Sequence, residues 1–246
     1  MSFSIIDGTP LCTVKGVTPR KFIYINENAD DDNADNMQRL LSVSGNKKFQ
    51  LVPSAERNRI AVFGPSGVGK STFMSQFVRE YKRTYKKNPI YMISPTKSDP
   101  AYEGLNVGWI KIDESFLFDP LDINEFPHSL LIFDDSEILS NNKAINQSVE
   151  LFRNSALENG RKLGISVISV MHVAQNGTQS KKILNESEIV TVFPKSNFAQ
   201  ISRLCKAYYG FEKSDLNYIK GLKSRWVCIK RSYPQVIMSE HELKMI

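Results

Sequence analysis

Apolar residues fall along this chain in two patterns, and the change from one to the other marks its elements. Residues 59–63 (Arg-Ile-Ala-Val-Phe), 90–93 (Ile-Tyr-Met-Ile), 130–133 (Leu-Leu-Ile-Phe) and 165–171 (Ile-Ser-Val-Ile-Ser-Val-Met) are short, mostly apolar runs. Such runs, bounded by turn residues, fit strands buried on both faces of a parallel sheet. Between them the apolar positions recur every three or four residues. Phe73, Phe77, Tyr81 and Tyr85 step by four, with Met74 and Val78 beside them, and Ile145, Val149, Phe152 and Ala156 repeat the pattern later. Helices are therefore predicted over about 70–86 and 144–158, each with one apolar face. Strands alternating with helices predict a three-layer α/β fold, a mostly parallel sheet flanked by helices with right-handed crossovers.

The ends are less regular. Residues 1–20 read as loop-rich with one edge strand, 21–25 and 49–53 as strands, and 37–43 as a short helix. A weak strand is predicted at 109–112. The tail predicts strands at 189–193, 226–230 and 236–238, and helices at 197–208 and 214–221. The expected organisation is a small N-terminal β decoration, residues 1–48, packed on one globular domain, 49–246.

At 246 residues, with 41% hydrophobic and 24% charged side chains, the chain has ordinary globular composition. Apolar runs stay short of the ~18 to 20 residues needed to span a bilayer, so no membrane insertion is expected. The start, Met-Ser-Phe-Ser-Ile-Ile-Asp, has no basic segment before an apolar one, so secretion is not expected. Cys12, Cys205 and Cys228 are odd in number and far apart, which suits a reducing compartment and small buried side chains. The charge is +6, and the segment from Lys195 onward carries ten Lys/Arg against four Asp/Glu. A second basic cluster is Arg79, Lys82, Arg83, Lys86 and Lys87, while Glu27, Asp30, Asp31, Asp32 and Asp35 form an acidic one. The basic excess favours a polyanion such as nucleic acid, though charge runs are usually solvated faces.

The chemistry begins where the 59–63 run ends. Gly64-Pro65-Ser66-Gly67-Val68-Gly69-Lys70-Ser71-Thr72 is a P-loop between a strand and a helix. Its glycines let successive N–H groups turn toward a phosphate, and the helix N-terminus adds to the same anion site. Lys70 brings a charge to the β and γ phosphates, and the Ser71 hydroxyl is a Mg²⁺ ligand. The 130–133 run closes on Asp134 and Asp135, carboxylates at the end where open α/β sheets bind ligands. Asp134 is assigned to the metal and Asp135 to the attacking water. The 165–171 run delivers His172, with Gln175 and Asn176 beyond, to that edge, where a polar group can sense the γ-phosphate; a structural histidine is the other reading.

Together, the P-loop, Ser94-Pro95-Thr96, Phe133-Asp134-Asp135, Arg161-Lys162-Leu163-Gly164-Ile165-Ser166 and Met171-His172 resemble the poxvirus-type genome-packaging ATPases of the FtsK–HerA superfamily, found in large DNA viruses and virophage- or polinton-like elements. Ile183-Leu184-Asn185-Glu186-Ser187, Phe193-Pro194, Leu222-Lys223-Ser224-Arg225-Trp226 and Pro234-Gln235-Val236 extend the resemblance over about residues 49–239. The family often has Arg-His where this chain has Arg161-Lys162. The resemblance implies a RecA/FtsK-HerA-like P-loop ATPase with ATP and Mg²⁺, working as a homo-oligomeric ring. Such a ring moves double-stranded DNA into a capsid through phosphate contacts without regard to sequence, beside capsid or portal-vertex proteins. It implies a place in the host cytoplasm at the site of assembly, or in the virion. It also implies an arginine offered to the neighbour's γ-phosphate, for which Arg153, Arg161 and Arg225 are candidates. Three other readings stay open: a small-metabolite kinase, an ATP-dependent assembly switch without sustained turnover, and a plain DNA-binding module that leaves Lys70 unexplained.

Overall fold

A computed structural model describes residues 1–26, 39–136, 142–172 and 177–246. In chain order the elements are β1 Ser2–Ser4, β2 Thr9–Lys15, β3 Lys21–Asn26, β4 Leu40–Ser42, β5 Lys48–Leu51, β6 Arg59–Phe63, α1 Lys70–Thr84, β7 Ile90–Ser94, β8 Gly108–Lys111, α2 Ser115–Phe118, β9 Leu130–Phe133, α3 Lys143–Asn159 and β10 Ser166–Met171. They continue with α4 Gly177–Glu186, β11 Ile189–Val192, α5 Phe198–Tyr209, α6 Lys213–Gly221, β12 Val227–Lys230, β13 Val236–Ser239 and β14 Glu242–Met245. The chain forms two compact units, Glu56–Ser187 and Met1–Ala55 with Glu188–Ile246.

In the Glu56–Ser187 unit five strands pair in the order β6-β10-β9-β7-β8, all parallel. Every residue of β9 and β10 is buried, as a sheet covered on both faces requires. The predicted stripes supply the cover. Phe73, Met74, Phe77, Val78 and Tyr81 are buried on α1, and Ile145, Val149, Phe152 and Ala156 on α3. The Phe152 ring lies 5.8 Å from Phe133 of β9 and 5.4 Å from Phe126. Arg57 locks the far end: its guanidinium donates to the Ala156 carbonyl, to Leu157 at 3.0 Å and to Ile165 at 2.5 Å, tying the end of α3 to the start of β10. Burial first, then Arg59, lowers that guanidinium to about 10.

The register fixes where function can sit. Met171 lies opposite Phe63, Ser169 opposite Phe133, and Ile93 opposite Phe133. The C-terminal ends of β6, β7, β9 and β10 therefore open on one edge, and the loops leaving them carry Gly64, Pro95, Asp134 and His172.

The other unit is antiparallel. One sheet runs β1-β3-β2-β5, and β11, β12, β13, β14 and β4 pair in that order. Three expectations change, two of them here and the third in the Glu56–Ser187 unit. The first twenty residues hold two strands rather than one, both paired with β3. The described part of 37–43 is strand, because Leu40–Ser42 pairs with β14 from the far end of the chain. Residues 177–186 form α4, where no element was expected. The N-terminal strands group with the C-terminal segment, where the sequence had suggested a break after residue 48; Lys48 pairs with Glu240 at 2.8 Å.

Candidate nucleotide site

A cleft of about 420 Å³ opens at that C-terminal edge, lined by the glycine-rich loop, the 96–100 loop, Asp134, Asp135 and His172. Its loop is built on backbone shape. Gly67 has φ 78° and Gly69 φ 104°, and a Cβ on either would meet nothing within 4 Å. Glycine is needed at these positions for the left-handed turn itself, not for space. Gly69 is the N-cap of α1 and has no side chain to cap it, so the first N–H groups of the helix stay open to an anion. The Gly64 N–H donates to Met171 at 3.1 Å, pinning the loop's base to β10.

Lys70 folds back over the loop, donating to the Gly64 carbonyl at 2.7 Å and the Pro65 carbonyl at 3.1 Å. Partial burial lowers its pKa, while Asp135 and then Asp134 hold it up. Asp134 shows the converse. Burial first and Asp135 second raise its carboxyl from 3.8 to about 6, against the pull of Lys70. A carboxylate so destabilised gains from a cation. Among the described residues no three His, Cys, Asp or Glu side chains are placed to hold an ion by themselves. Ser71 and Asp134 line the same cleft, a hydroxyl and a carboxylate that could hold Mg²⁺ sharing its shell with phosphate oxygens.

Asp135 adopts φ 50°, a left-handed conformation rare for residues other than glycine and common where function fixes the backbone. Its Oδ1 lies 2.6 Å from His172 Nε2. The cleft thus gathers Ser66, Gly67, Gly69, Lys70, Ser71, Thr72, Asp134, Asp135 and His172 from the sequence-derived set. Gly64 is buried beneath them, Pro65 is exposed and Val68 half-buried. Gln175 and Asn176 lie outside the described residues.

The arginines divide. Arg153 is 2% exposed and its Nη1 reaches Ser136 Oγ at 3.5 Å, on the turn just after Asp135. A side chain so enclosed does not extend into another subunit, which corrects the expectation of Arg153 as a finger. Arg161 is exposed in the turn before β10, at the sheet edge opposite the cleft, and Arg225 is exposed in the other unit. The basic cluster on α1 is partly engaged: Lys82 donates to the Leu105 carbonyl at 2.8 Å and Arg83 pairs with Glu80 at 2.9 Å.

Apart from Thr96, part of a motif already quoted, sequence reasoning missed the cleft's fourth wall. Thr96, Ser98, Asp99 and Pro100 all line it. Ser94 Oγ holds the Thr96 N–H at 3.3 Å and hydroxyl at 3.1 Å, and the Asp99 carboxylate accepts from Ala101 N–H at 2.8 Å. The available signal was position: a polar, proline-punctuated loop at the C-terminal end of a parallel strand belongs to the ligand edge.

No family model matches the chain. The Sputnik virophage protein V3, itself described as uncharacterised, is 32% identical over 245 residues, 98% of this chain and 96% of that protein. The genome packaging NTPase B204 of Sulfolobus turreted icosahedral virus 2, solved with ATP-gammaS, has a TM-score of 0.52 at 15% identity, covering 76% of this chain and 97% of that one. The cytoplasmic domain of the type VII secretion ATPase EccC of Thermomonospora curvata gives 0.54 at 14% identity, covering 81% of this chain and 28% of that one. At these identities the likeness is one of fold, a three-layer α/β P-loop fold.

Proposed function

The chain belongs to the family of the Sputnik virophage protein V3, and from that premise we propose that it is an ATP-hydrolysing motor that moves double-stranded DNA into a viral capsid. The observation that carries this reading is the meeting of Lys70, Ser71, Asp134 and Asp135 in one cleft at the end of a parallel sheet. The open N–H groups of the loop and of α1 bind the phosphates, and Lys70 exchanges its two loop carbonyls for phosphate oxygens. Ser71 and Asp134 would hold Mg²⁺, which would supply positive charge against the phosphates. Asp135, oriented by His172, turns the attacking water and takes its proton. The fold likeness to a protein described as a genome packaging NTPase supports packaging as the task, and the basic tail supports a polyanionic track.

A homo-oligomeric ring gives the motor its remaining parts: Arg161, exposed, is the candidate for reaching a neighbour's γ-phosphate, and capsid or portal-vertex proteins anchor the ring at the host-cytoplasmic assembly site. No helix among the described residues is long and apolar enough to cross a membrane. Phosphate release measured with and without duplex DNA tests the reading. DNA-stimulated release that Lys70→Ala abolishes is expected. Phosphotransfer to a metabolite makes the protein a kinase instead, and negligible turnover makes it an assembly switch.

A further inference from the structure

Exposed apolar side chains scattered singly need no explanation, but gathered ones do. Among the described residues eight large apolar side chains are exposed, and six of them fall in two places. In the Glu56–Ser187 unit these are Leu117, Phe118, which is 85% exposed, and Leu151, 63% exposed. The first two belong to α2, which packs on α3 where Ser148 Oγ donates to the Phe116 carbonyl at 2.9 Å. Leu151 lies three residues beyond Ser148, one turn along the same face of α3. Residues 112–126 hold five acids, Asp113, Glu114, Asp119, Asp122 and Glu125, and no Lys or Arg. The patch is apolar in an acidic setting.

The second place is one end of the antiparallel sheet. Lys230 pairs with Val236, Val236 with Met245, and Lys244 with Leu40, so β12 and β14 end where β13 and β4 begin. The Ile246 N–H donates to the Gln235 carbonyl at 2.9 Å, and the Met245 N–H to the Arg39 carbonyl at 2.8 Å. Leu40, Ile246 and Tyr233, which is 76% exposed, are the apolar side chains at this end. Arg39 and Arg231 stand exposed beside them. The turn bearing Tyr233 is held in place: the Arg231 N–H donates to the Glu188 carbonyl at 2.8 Å, and Lys230 Nζ to Ser232 Oγ at 2.5 Å.

We propose that these two surfaces meet between copies of the chain, the acidic α2–α3 face of one against the Tyr233 sheet end of the next. Charge decides the pairing. Two acidic faces repel each other, as do two ends bearing Arg39 and Arg231, so neither surface suits its own twin. Ile5 and Ile6, the remaining exposed pair, lie beside Asp7, the wrong sign for an acidic face. Tyr and Arg, which the sheet end offers, are among the residues enriched at interfaces. The contact is therefore head-to-tail, and because each copy keeps one surface free, further copies can add. It gives the homo-oligomer of the proposed function its contact. The test needs no nucleotide, so its failure leaves the reading of the cleft untouched.

Sedimentation of the full chain without nucleotide should show association that grows with protein concentration and weakens with added salt. Phe118→Ser and Tyr233→Ser each break one surface at an exposed position, and both should melt as the unsubstituted chain does. Each variant alone should associate at least about tenfold more weakly. Mixed in equal amounts they should form a dimer and nothing larger, because the intact sheet end of one meets the intact acidic face of the other. If either variant melts lower, Leu151→Ser replaces Phe118→Ser and Leu40→Ser replaces Tyr233→Ser. An unsubstituted chain that stays monomeric at every concentration overturns the proposal. So does a loss of association confined to one of the two variants, or a mixture that stays monomeric.

Discussion

In the Glu56–Ser187 unit three carboxylates, Asp99, Asp134 and Asp135, gather around one lysine at the end of a parallel sheet, whereas in the other unit Arg203, Lys206, Lys213, Lys220 and Lys223 stand exposed on or beside two short helices. Topology accounts for the contrast. A parallel sheet needs helical crossovers that cover both faces, so the strand ends are where its polar chemistry can collect. There the groups are close and half-buried, and each shifts the next: Lys70 is lowered by burial and Asp134 raised by it. The helices of the antiparallel unit bury one stripe each, Ile201, Leu204 and Cys205 on α5 and Leu216 and Ile219 on α6, and leave the opposite side to solvent. Of the five cations only Lys220 has an aromatic partner, 5.7 Å from the Phe198 ring. The first region can concentrate a field on a few atoms, and the second can spread one along a surface.

Lys70→Ala breaks the concentrated side of that contrast most completely. Removing the only Lys or Arg among the described lining residues should lower hydrolysis by about 10³ in phosphate-release assays. The empty protein should melt as before, because the ammonium's present partners are two loop carbonyls at a half-exposed site. A large loss of melting temperature would instead make Lys70 a structural residue.

Asp134→Asn separates stability from function. The folded carboxyl titrates near 6 against 3.8 in the unfolded chain, so the folded state binds the extra proton. Stability from this group is therefore greatest at low pH and is lost as pH rises from about 4 through about 6. The asparagine variant should melt several degrees higher at neutral pH and no differently near pH 4. Metal-dependent nucleotide binding should weaken on the order of 100-fold. For the unsubstituted protein the same shift predicts weaker metal-dependent binding as pH falls below about 6. A binding profile flat through that region would mean that Asp134 does not ligate the ion.

His172→Asn probes the orientation of Asp135, the acid proposed to direct the water. The 2.6 Å contact with Asp135 should be worth about tenfold in turnover with nucleotide binding intact. His172, Asp134 and the P-loop were all legible in the sequence for one reason. Each follows a run of buried apolar residues whose strand character is decided locally, and parallel strands bring their C-terminal ends together. The strands β4 and β14 were not legible in this way. Leu40–Ser42 is three residues whose strand state depends on a partner two hundred positions away, and local pattern read the region as helix. Ser98, Asp99 and Pro100 were hidden differently, because their place in the cleft comes from the path of an irregular loop. Arg153 shows the limit from the other direction, since a sequence supplies a cation without saying that it is buried.

The spread field of the second unit yields the smallest effect per residue and a different kind of measurement. Arg203 and Lys206 lie three apart on the solvent side of α5, Lys213 heads α6, and Lys223 follows it. If they meet duplex DNA through phosphates, each contact releases counterions, and the slope of log K against log salt falls by about 0.9 for each lost contact. Changing all four to alanine should therefore flatten that slope by up to about 3.6 and weaken binding equally on unrelated sequences, since phosphates carry no base information. Hydrolysis without DNA should be untouched, because these side chains belong to neither the cleft nor its supports. An unchanged slope would take these helices out of the DNA path and leave Arg79, Lys86 and Lys87, exposed at the end of α1 and beyond it, as the surface to neutralise next. Loss of DNA-free hydrolysis in the fourfold variant would erase the contrast between the two regions, because it would make the spread cations part of the concentrated site.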